Sequence, residues 1–309
     1  MEDFSEILVV WRAETARAMK SGRFVALVVL FLMAEALSLT IVGFLNKQAN
    51  DQFDQMVTAQ GVDPEQARAG LLTQKKKFLA FFASSSDERT IEAISVLPLV
   101  LLFVYSLTTF FAPLLIAFMG FDQMSGELGP KSIRYLIVRA RRNSIILGKF
   151  LSQVTMLAAL LTLCVLAMVV VSKALNADFA MNDVLIWTVK LTAAMVVMGA
   201  TYAALTTLCS SLMRVSALAL FLNLIILFAF WFIGLIGNAW RIPGHPPTGL
   251  DVLKSESVLA FVRYLAPGYF EDALLSPAIL EFNTGLVAHV GFMLVFLGLA
   301  QVAMKRRDL

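Results

Sequence analysis

The chain has 309 residues, of which 59% are hydrophobic and 15% are charged, and its mean hydropathy is +0.79. A soluble domain carries about 25% charged residues. The net charge is only +3. This composition excludes an ordinary soluble protein and indicates a membrane protein.

Six apolar blocks of about 20 or more residues are nearly free of charge, and each is long enough to cross the roughly 30 Å hydrocarbon layer as a helix. Every backbone group in lipid must be satisfied within its own segment, which favours helices over strands. We therefore predict an all-α integral membrane protein, with 1–309 forming one transmembrane domain. The predicted spans are 24–45, 94–120, 145–172, 185–209, 215–237 and 284–304.

The segment before the first block, residues 4–21, predicts an interfacial helix. Phe4, Leu8, Trp11 and Ala18 fall on one face, which Thr15 interrupts with a hydroxyl. Tryptophan suits the headgroup zone of a bilayer. The alternative is a soluble N-terminal helix. The acidic start differs from a secretory signal, so the first block is expected to be a retained span.

The first long insert, 46–93, contains a helix signal. Asp63 is suited to capping a helix and Pro64 to its first position. We expect this helix to lie on the outer membrane surface or on the rest of the protein, with substrate contact as a further option. Pro98 and Pro113 then predict a kink in the second block, because each removes a helix hydrogen bond.

The second insert, 238–283, begins with several prolines. Residues 253–265 predict a short amphipathic helix, which Pro267-Gly268 would end. The two cysteines, Cys164 and Cys209, lie in apolar blocks and are expected to be packing residues.

An even number of spans places both termini on one side, and the distribution of charge predicts which side. The segments on the side of the termini carry 14 Lys and Arg against 7 acids, and those on the other side carry 11 against 14. Bases concentrate in cytoplasmic loops, so we predict cytoplasmic termini and an inner (cytoplasmic) membrane location. The outer Lys75-Lys76-Lys77 run is discordant, but it lies in a long loop, where the rule is weaker.

The loop between the second and third spans is the most informative stretch. Residues 121–151 carry six bases and two acids, and they predict a short helix, a break at Gly129-Pro130 and a second, basic helix leading into the membrane. A charged helical hairpin of this kind, covering 121–144, is suited to docking a cytosolic protein. It would equally anchor to anionic lipid.

The order of motifs in this loop resembles the cytoplasmic signature of type-2 ATP-binding cassette (ABC) exporter permeases. The helix before the first span, a Tyr264–Phe270 element before the last span and the basic Lys305–Leu309 ending are also similar to that family. The loop motifs are Asp122, Ser125-Gly126-Glu127, Gly129, Ile133–Ile137, Arg139–Arg142 and Ile146–Phe150. The chain departs from the family where Ala140 follows Arg139 and where Gly129-Pro130-Lys131 replaces a more usual run.

The resemblance implies that the loop forms a coupling helix in a groove of a separate ATPase, which would bind ATP and Mg²⁺. It also implies a second permease copy, as a homodimer or heterodimer, and export as the direction. Membrane lipid is a further expected partner, and no nucleic acid is expected to bind. The implied ATPase-coupling residues are Asp122, Ser125, Gly126, Glu127, Lys131, Arg134 and Arg139.

No phosphate-binding G-x-x-x-x-G-K-[ST] motif occurs, so ATP must be bound by another chain. The sequence also lacks H-E-x-x-H and G-x-S-x-G, and its only histidines are His245 and His289. We therefore expect a protein that is not itself an enzyme and holds no cofactor or metal.

Few polar residues lie inside the spans. Glu35 is the one carboxylate at mid-membrane depth, where a charge is costly, so it is a candidate for the pathway or for a buried hydrogen bond. His289 is a candidate partner for Glu35. Lys190 is expected to extend outward to the interface, and Asn223 to bond two helices together.

The resemblance thus implies the permease subunit of an ATP-driven exporter. Two alternatives stay open: a membrane subunit that transmits ATP-driven motion to an extracytoplasmic partner, and a secondary transporter with Glu35 as carrier. No clear internal repeat supports the secondary transporter.

Overall fold

The computed structural model describes residues 2–59, 61, 63–82, 88–95, 97, 99–138, 140–174, 181–239 and 262–307. It is 89% helical, and the described residues contain no strand. Six helices are long and apolar enough to span a membrane, which confirms the predicted all-α fold with six spans.

Eleven α-helices are described, and the spanning ones are α2, α5, α8, α9, α10 and α11. Three short 3₁₀ turns, Val262–Leu265, Pro267–Phe270 and Asp272–Leu275, precede the last span. A π-helical turn, Gln55–Ala59, extends α2. The helices are α1 Glu2–Met19, α2 Gly22–Asp54, α3 Pro64–Phe82, α4 Glu88–Ser95, α5 Leu99–Gly120, α6 Ser125–Leu128, α7 Ile133–Ile137, α8 Arg142–Ala174, α9 Met181–Leu212, α10 Ser216–Ala239 and α11 Ile279–Lys305.

Local chemistry accounts for several helix starts. The Ser21 hydroxyl accepts a hydrogen bond from the Phe24 amide at 3.2 Å and caps α2, which separates it from α1. Asp63 Oδ1 accepts from the Glu65 amide at 3.1 Å, and α3 begins at Pro64, as predicted. The first span runs beyond the predicted residue 45, because α2 continues to Asp54.

The second apolar block is two helices rather than one. Its first residues belong to α4, which ends at Ser95, and α5 begins at Leu99 and runs through Pro113. Lys75 belongs to the lysine run that conflicts with the predicted charge distribution, and it is bound within the protein. Its Nζ donates to the carbonyls of Ser95 at 2.6 Å and Leu97 at 3.4 Å. Burial lowers the pKa of Lys75. The predicted helix at 253–265 lies mostly outside the described residues, and its described end is a 3₁₀ turn.

Helix α9 is the centre of the bundle and packs against α5, α8, α10 and α11. Its buried face contains several small side chains, which allow neighbouring helices to approach closely. Helix α2 packs mainly on α5 and lies at the side of the bundle. The buried residues of α9 include Ala194, Met198, Ala200, Ala203, Ala204 and Cys209.

The bundle has two polar ends. One end, called the basic end below, carries α1, α6, α7, the starts of α8 and α10, and the ends of α9 and α11. The opposite end, called the insert end, carries α3, α4 and the 3₁₀ turns. The long-range hydrogen bonds in the next section hold the elements of the basic end together.

Candidate functional site

The loop after α5 is anchored to the turn between α9 and α10 by serine hydroxyls. Ser210 Oγ accepts the amides of Met124 at 2.9 Å and Ser125 at 3.1 Å, so a side chain of α9 caps α6. Ser125 is buried, and its hydroxyl donates to the Phe121 carbonyl at 2.8 Å and contacts Ser216 Oγ at 3.2 Å. Ser125 therefore fixes the loop from within and does not face outward.

The break between α6 and α7 also packs closely on that turn. A Cβ atom at Gly129 would lie 2.9 Å from the carbonyl oxygen of Arg214, so only glycine fits there without movement. Lys131 adopts a left-handed conformation with φ 61°, which turns the chain between the two short helices. The predicted break at Gly129-Pro130 is confirmed at this position.

A cluster of four charges joins α1, α6 and α8, and it is called the charge cluster below. Lys149 is 1% exposed, and its Nζ donates to Glu14 Oε1 at 2.8 Å and to Glu127 Oε1 at 2.9 Å. Arg17 Nη1 lies 3.1 Å from each of the same two oxygens. A buried ammonium needs such partners, and here they come from two different elements.

The orientation of Glu127 differs from the expected docking role. Its side chain is 14% exposed and turned toward Lys149, so it binds within the chain. Gln123 adds a further bond, because its Nε2 donates to the Lys149 carbonyl at 2.8 Å. Glu127 thus connects the loop to α1 and α8.

Helix α1 packs against the first half of α8. A Cβ at Gly148 would lie 2.7 Å from Val10 Cβ, so the two backbones approach closely at this point. Trp11 Nε1 donates to Thr155 Oγ1 at 3.1 Å, and Thr15 Oγ1 donates to Ser152 Oγ at 3.0 Å. The predicted polar interruption of the α1 face is therefore a contact with α8.

Three further side chains bind helix ends at the basic end. Glu6 Oε2 accepts the Arg141 amide at 3.0 Å, at the start of α8. This backbone hydrogen bond, with one from the Ser144 hydroxyl, lowers the pKa of Glu6. Arg142 Nη1 donates to the carbonyls of Met304 at 2.8 Å and Lys305 at 3.2 Å, at the end of α11. Arg307 Nη2 donates to the Leu212 carbonyl, at the end of α9.

The exposed loop face consists of Gly126, Lys131, Arg134, Tyr135 and Val138. Tyr135 is 80% exposed and Val138 is 86% exposed, and the other three are also exposed. Two large apolar side chains thus stand beside two cations, outside the buried network. The coupling residues predicted from the sequence do not include Tyr135 or Val138, although both lie in the informative loop.

The predicted coupling residues do not all lie on the exposed loop face. Asp122 is half-buried at the start of the loop. Arg139 lies outside the described residues. The structure therefore brings Gly126, Lys131 and Arg134 to one surface and places Ser125 and Glu127 beneath it.

The polar residues within the spans differ in whether they have hydrogen-bond partners. Asn223 Nδ2 donates to Thr206 Oγ1 at 2.8 Å and joins α10 to α9, as predicted. His289 bonds with Thr201, whose Oγ1 lies 3.2 Å from its Nδ1 and donates to its carbonyl at 3.0 Å. Glu35 is 1% exposed, and neither of its oxygens has a hydrogen-bond partner among the described residues. The suggested pair of Glu35 with His289 is therefore wrong.

Lys190 also differs from the prediction. Its Nζ donates to the Ser276 carbonyl at 2.5 Å and lies over the rings of Trp187 and Phe282 at 4.5 and 4.8 Å. Hydrogen-bond and cation–π partners within the protein hold this ammonium at the insert end. It lines an open cavity of about 520 Å³ together with Ile186, Ile279 and other apolar side chains.

Tyrosine hydroxyls hold the 3₁₀ turns before α11. Tyr202 OH donates to Glu271 Oε1 at 3.0 Å, and Tyr105 OH donates to the Glu271 carbonyl at 3.3 Å. Burial raises the pKa of Glu271 to about 8, although the bond from Tyr202 opposes this. The Tyr264–Phe270 element thus precedes a junction between α5, α9 and the last span.

The fold and this loop define a multi-pass membrane protein with an anchored helical hairpin at one polar end. The model of the ABC-2 family transporter proteins matches residues 8–309, and the chain belongs to this family. It is accordingly a membrane-spanning permease subunit of an ABC transporter. No curated protein matches the chain. Family membership argues against the secondary-transporter alternative.

Proposed function

We propose that the chain is the permease of an ATP-driven exporter in the inner membrane, coupled to a separate ATPase through the exposed loop face. The observation that carries this proposal is the pairing of exposed Tyr135 and Val138 with Lys131 and Arg134 on an anchored loop. An apolar pocket with an acidic rim is the complementary surface expected on the ATPase.

The mechanical support for coupling lies beneath that surface. Serine bonds from α9 and α10 hold α6, and the charge cluster ties α6 to α1 and α8. A displacement of the loop therefore moves the ends of several spans together, rather than bending a free hairpin. ATP-driven closure of two ATPases would shift the bundle between two arrangements in this way.

The proposed orientation places the basic end in the cytoplasm. Bases of the segments on the side of the termini come together there, including Arg17, Lys149, Arg142 and Arg307. This distribution agrees with the positive-inside rule. ATP and Mg²⁺ would be bound by the ATPase and not by this chain.

The proposed second copy would meet the chain through α10, the least covered span. Only 11% of the residues in its most apolar stretch are buried, and the side chains of Phe221 and Phe228 are more than 60% exposed. Phe228 is stacked with Phe232 at a ring-centroid distance of 6.4 Å, which forms a flat aromatic face. Cross-linking of Phe228→Cys tests this contact, with the exposed Leu299→Cys on α11 as control.

The coupling proposal is tested by affinity purification from native membranes. The wild-type chain should co-purify with a chain that carries a G-x-x-x-x-G-K-[ST] motif and hydrolyses ATP. Tyr135→Ala/Val138→Ala should reduce recovery of that ATPase by about tenfold or more, as for loss of interface anchors. The matched control is Ile279→Ala/Leu280→Ala, two residues that are 78% and 81% exposed at the insert end.

Equal ATPase recovery from the two double variants would contradict the docking role of the loop face. The direction of transport is tested in proteoliposomes with ATP supplied outside, which energises only inside-out complexes. Uptake of solute into these vesicles supports export. ATP hydrolysis without solute movement would instead favour a complex that moves an extracytoplasmic partner.

A further inference from the structure

Three spans meet along an apolar cleft near the basic end. Its lining comes from regularly spaced residues of α2, α5 and α8, so each helix contributes one face. The lining residues are Phe24, Val28 and Phe31 from α2, Ala112, Leu115 and Met119 from α5, and Leu157, Leu160 and Leu161 from α8.

The same three faces carry polar groups one turn further toward the insert end. Glu35 follows Phe31 by four residues on α2, and Thr108 precedes Ala112 by four residues on α5. Cys164 follows Leu161 by three residues on α8. Because α5 runs opposite to α2 and α8, all three positions lie at the same level of the bundle.

The two oxygen-bearing side chains of this level, Glu35 and Thr108, are buried. Glu35 is 1% exposed and Thr108 is 0% exposed. Among the described residues, neither the Glu35 oxygens nor Thr108 Oγ1 has a hydrogen-bond partner. A buried unpartnered carboxyl is costly in a membrane helix, so a bound molecule that supplies a partner would be stabilised at this level.

The cleft is closed in this structure, with about 10 Å³ of free space, roughly the room that a single water needs. A ligand therefore requires α2 to separate from α5 and α8. The Ser21 cap separates α2 from α1. The charge cluster holds α1 to the loop, so motion of the loop acts at the base of α2.

We propose that the opened cleft binds an amphipathic organic cation, with its apolar body against Phe31, Leu115 and Leu161 and its charge against Glu35. This names a substrate class for the transporter and rests on the proposed export function. Thr108 would accept a hydrogen bond from the ligand or donate one to Glu35. An anion of the same size is excluded because it would meet the Glu35 carboxylate.

The test uses two probes that match in size and differ in charge, tetraphenylphosphonium and tetraphenylborate. Saturable binding of each is measured on the purified permease–ATPase complex in nanodiscs. Wild type should bind the phosphonium ion. Glu35→Gln should weaken that binding by about tenfold or more, the scale of a lost charge–charge contact away from water, and should strengthen borate binding, because it removes the carboxylate that repels the anion.

Ser38→Ala is the matched control, because Ser38 is also buried on α2 but its hydroxyl already donates to the Ala34 carbonyl at 3.1 Å. This variant should bind the phosphonium ion as wild type does. Thr108→Val serves as the second probe of the site. It removes the hydroxyl that would donate to the Glu35 carboxylate, since tetraphenylphosphonium itself has no hydrogen-bonding group, and it should weaken phosphonium binding by roughly threefold.

The proposal is overturned if wild type, Glu35→Gln and Thr108→Val bind the phosphonium ion equally. It is also overturned if wild type binds the borate ion more strongly than the phosphonium ion and Glu35→Gln removes this preference. Either outcome leaves the export function standing if the complex still assembles and hydrolyses ATP. Failure to recover an ATPase, with Glu35-dependent phosphonium binding to the permease alone, overturns the coupling proposal instead.

Discussion

Replacement of Lys149 by methionine should loosen α1 and the loop together. Methionine keeps most of the side-chain length but removes both bonds to Glu14 and Glu127, at 2.8 and 2.9 Å. Each hydrogen bond between charged groups contributes about 1.5–3 kcal/mol. Arg17 remains 3.1 Å from both carboxylates, so the lower end of this range applies, about 3 kcal/mol in total.

The assay is the apparent unfolding temperature of the purified chain in a fixed detergent and at a fixed heating rate. For a chain of this size, about 3 kcal/mol corresponds to a decrease of roughly 6 °C. Lys20→Met is the control, because Lys20 is an exposed lysine at the end of α1. Its unfolding temperature should stay within about 1 °C of wild type.

A double-mutant cycle separates the charge cluster from simple loss of packing. Glu127→Gln in the Lys149→Met background removes one carboxylate that the first change leaves without its ammonium. The double variant should therefore lose less stability than the sum of the single variants. Additive losses, or a Lys149→Met protein as stable as Lys20→Met, would refute the assignment of the cluster as the link between α1 and the loop.

Three further outcomes are expected. Gly148→Ala should destabilise the protein by about 1–3 kcal/mol, because the added Cβ would clash with Val10 and the Ile7 carbonyl. Gly43→Ala, which has open space around it, should not destabilise the protein. Thermal unfolding of both variants checks this prediction. Arg142→Gln should speed hydrogen exchange in the last turn of α11 by about tenfold, since it leaves carbonyls there without their donor; unchanged exchange would contradict the capping role. The raised pKa of Glu271 means that the folded protein favours the protonated carboxyl. The free energy of unfolding should therefore fall as pH rises from about 4.5 to about 8. Unfolding scans across that range should show no such dependence for Glu271→Gln.

The spans were predictable because one physical quantity, the thickness of the hydrocarbon layer, fixes the length of each apolar block. Their ends were less so. The block at residues 94–120 is continuous in hydropathy, but its first residues belong to α4. Helix α2 continues past its apolar part because its polar extension still satisfies helix hydrogen bonds outside the membrane.

The site illustrates what sequence pattern leaves open. A motif identifies the loop but does not orient each side chain, so Glu127 was assigned to the docking surface although most of its side chain is buried against Lys149. Lys149 gave a signal that was overlooked: a cation a few residues inside an apolar block requires an acidic partner. Helix periodicity placed Thr15 on the apolar face, where Ser152 of a neighbouring helix satisfies its hydroxyl.

The contacts of α1 explain how a push on the loop can reach the membrane interior. Its Glu14 and Arg17 bind the same Glu127 that lies beneath the exposed loop face, directly or through Lys149. The chain then passes through the Ser21 cap into α2, which carries Glu35. Helix α8 is held at the same point, but it is also packed against α9 in the centre of the bundle. Since α2 lies at the side of the bundle, it is the helix that such a displacement moves most easily, and its movement opens the cleft beside Glu35.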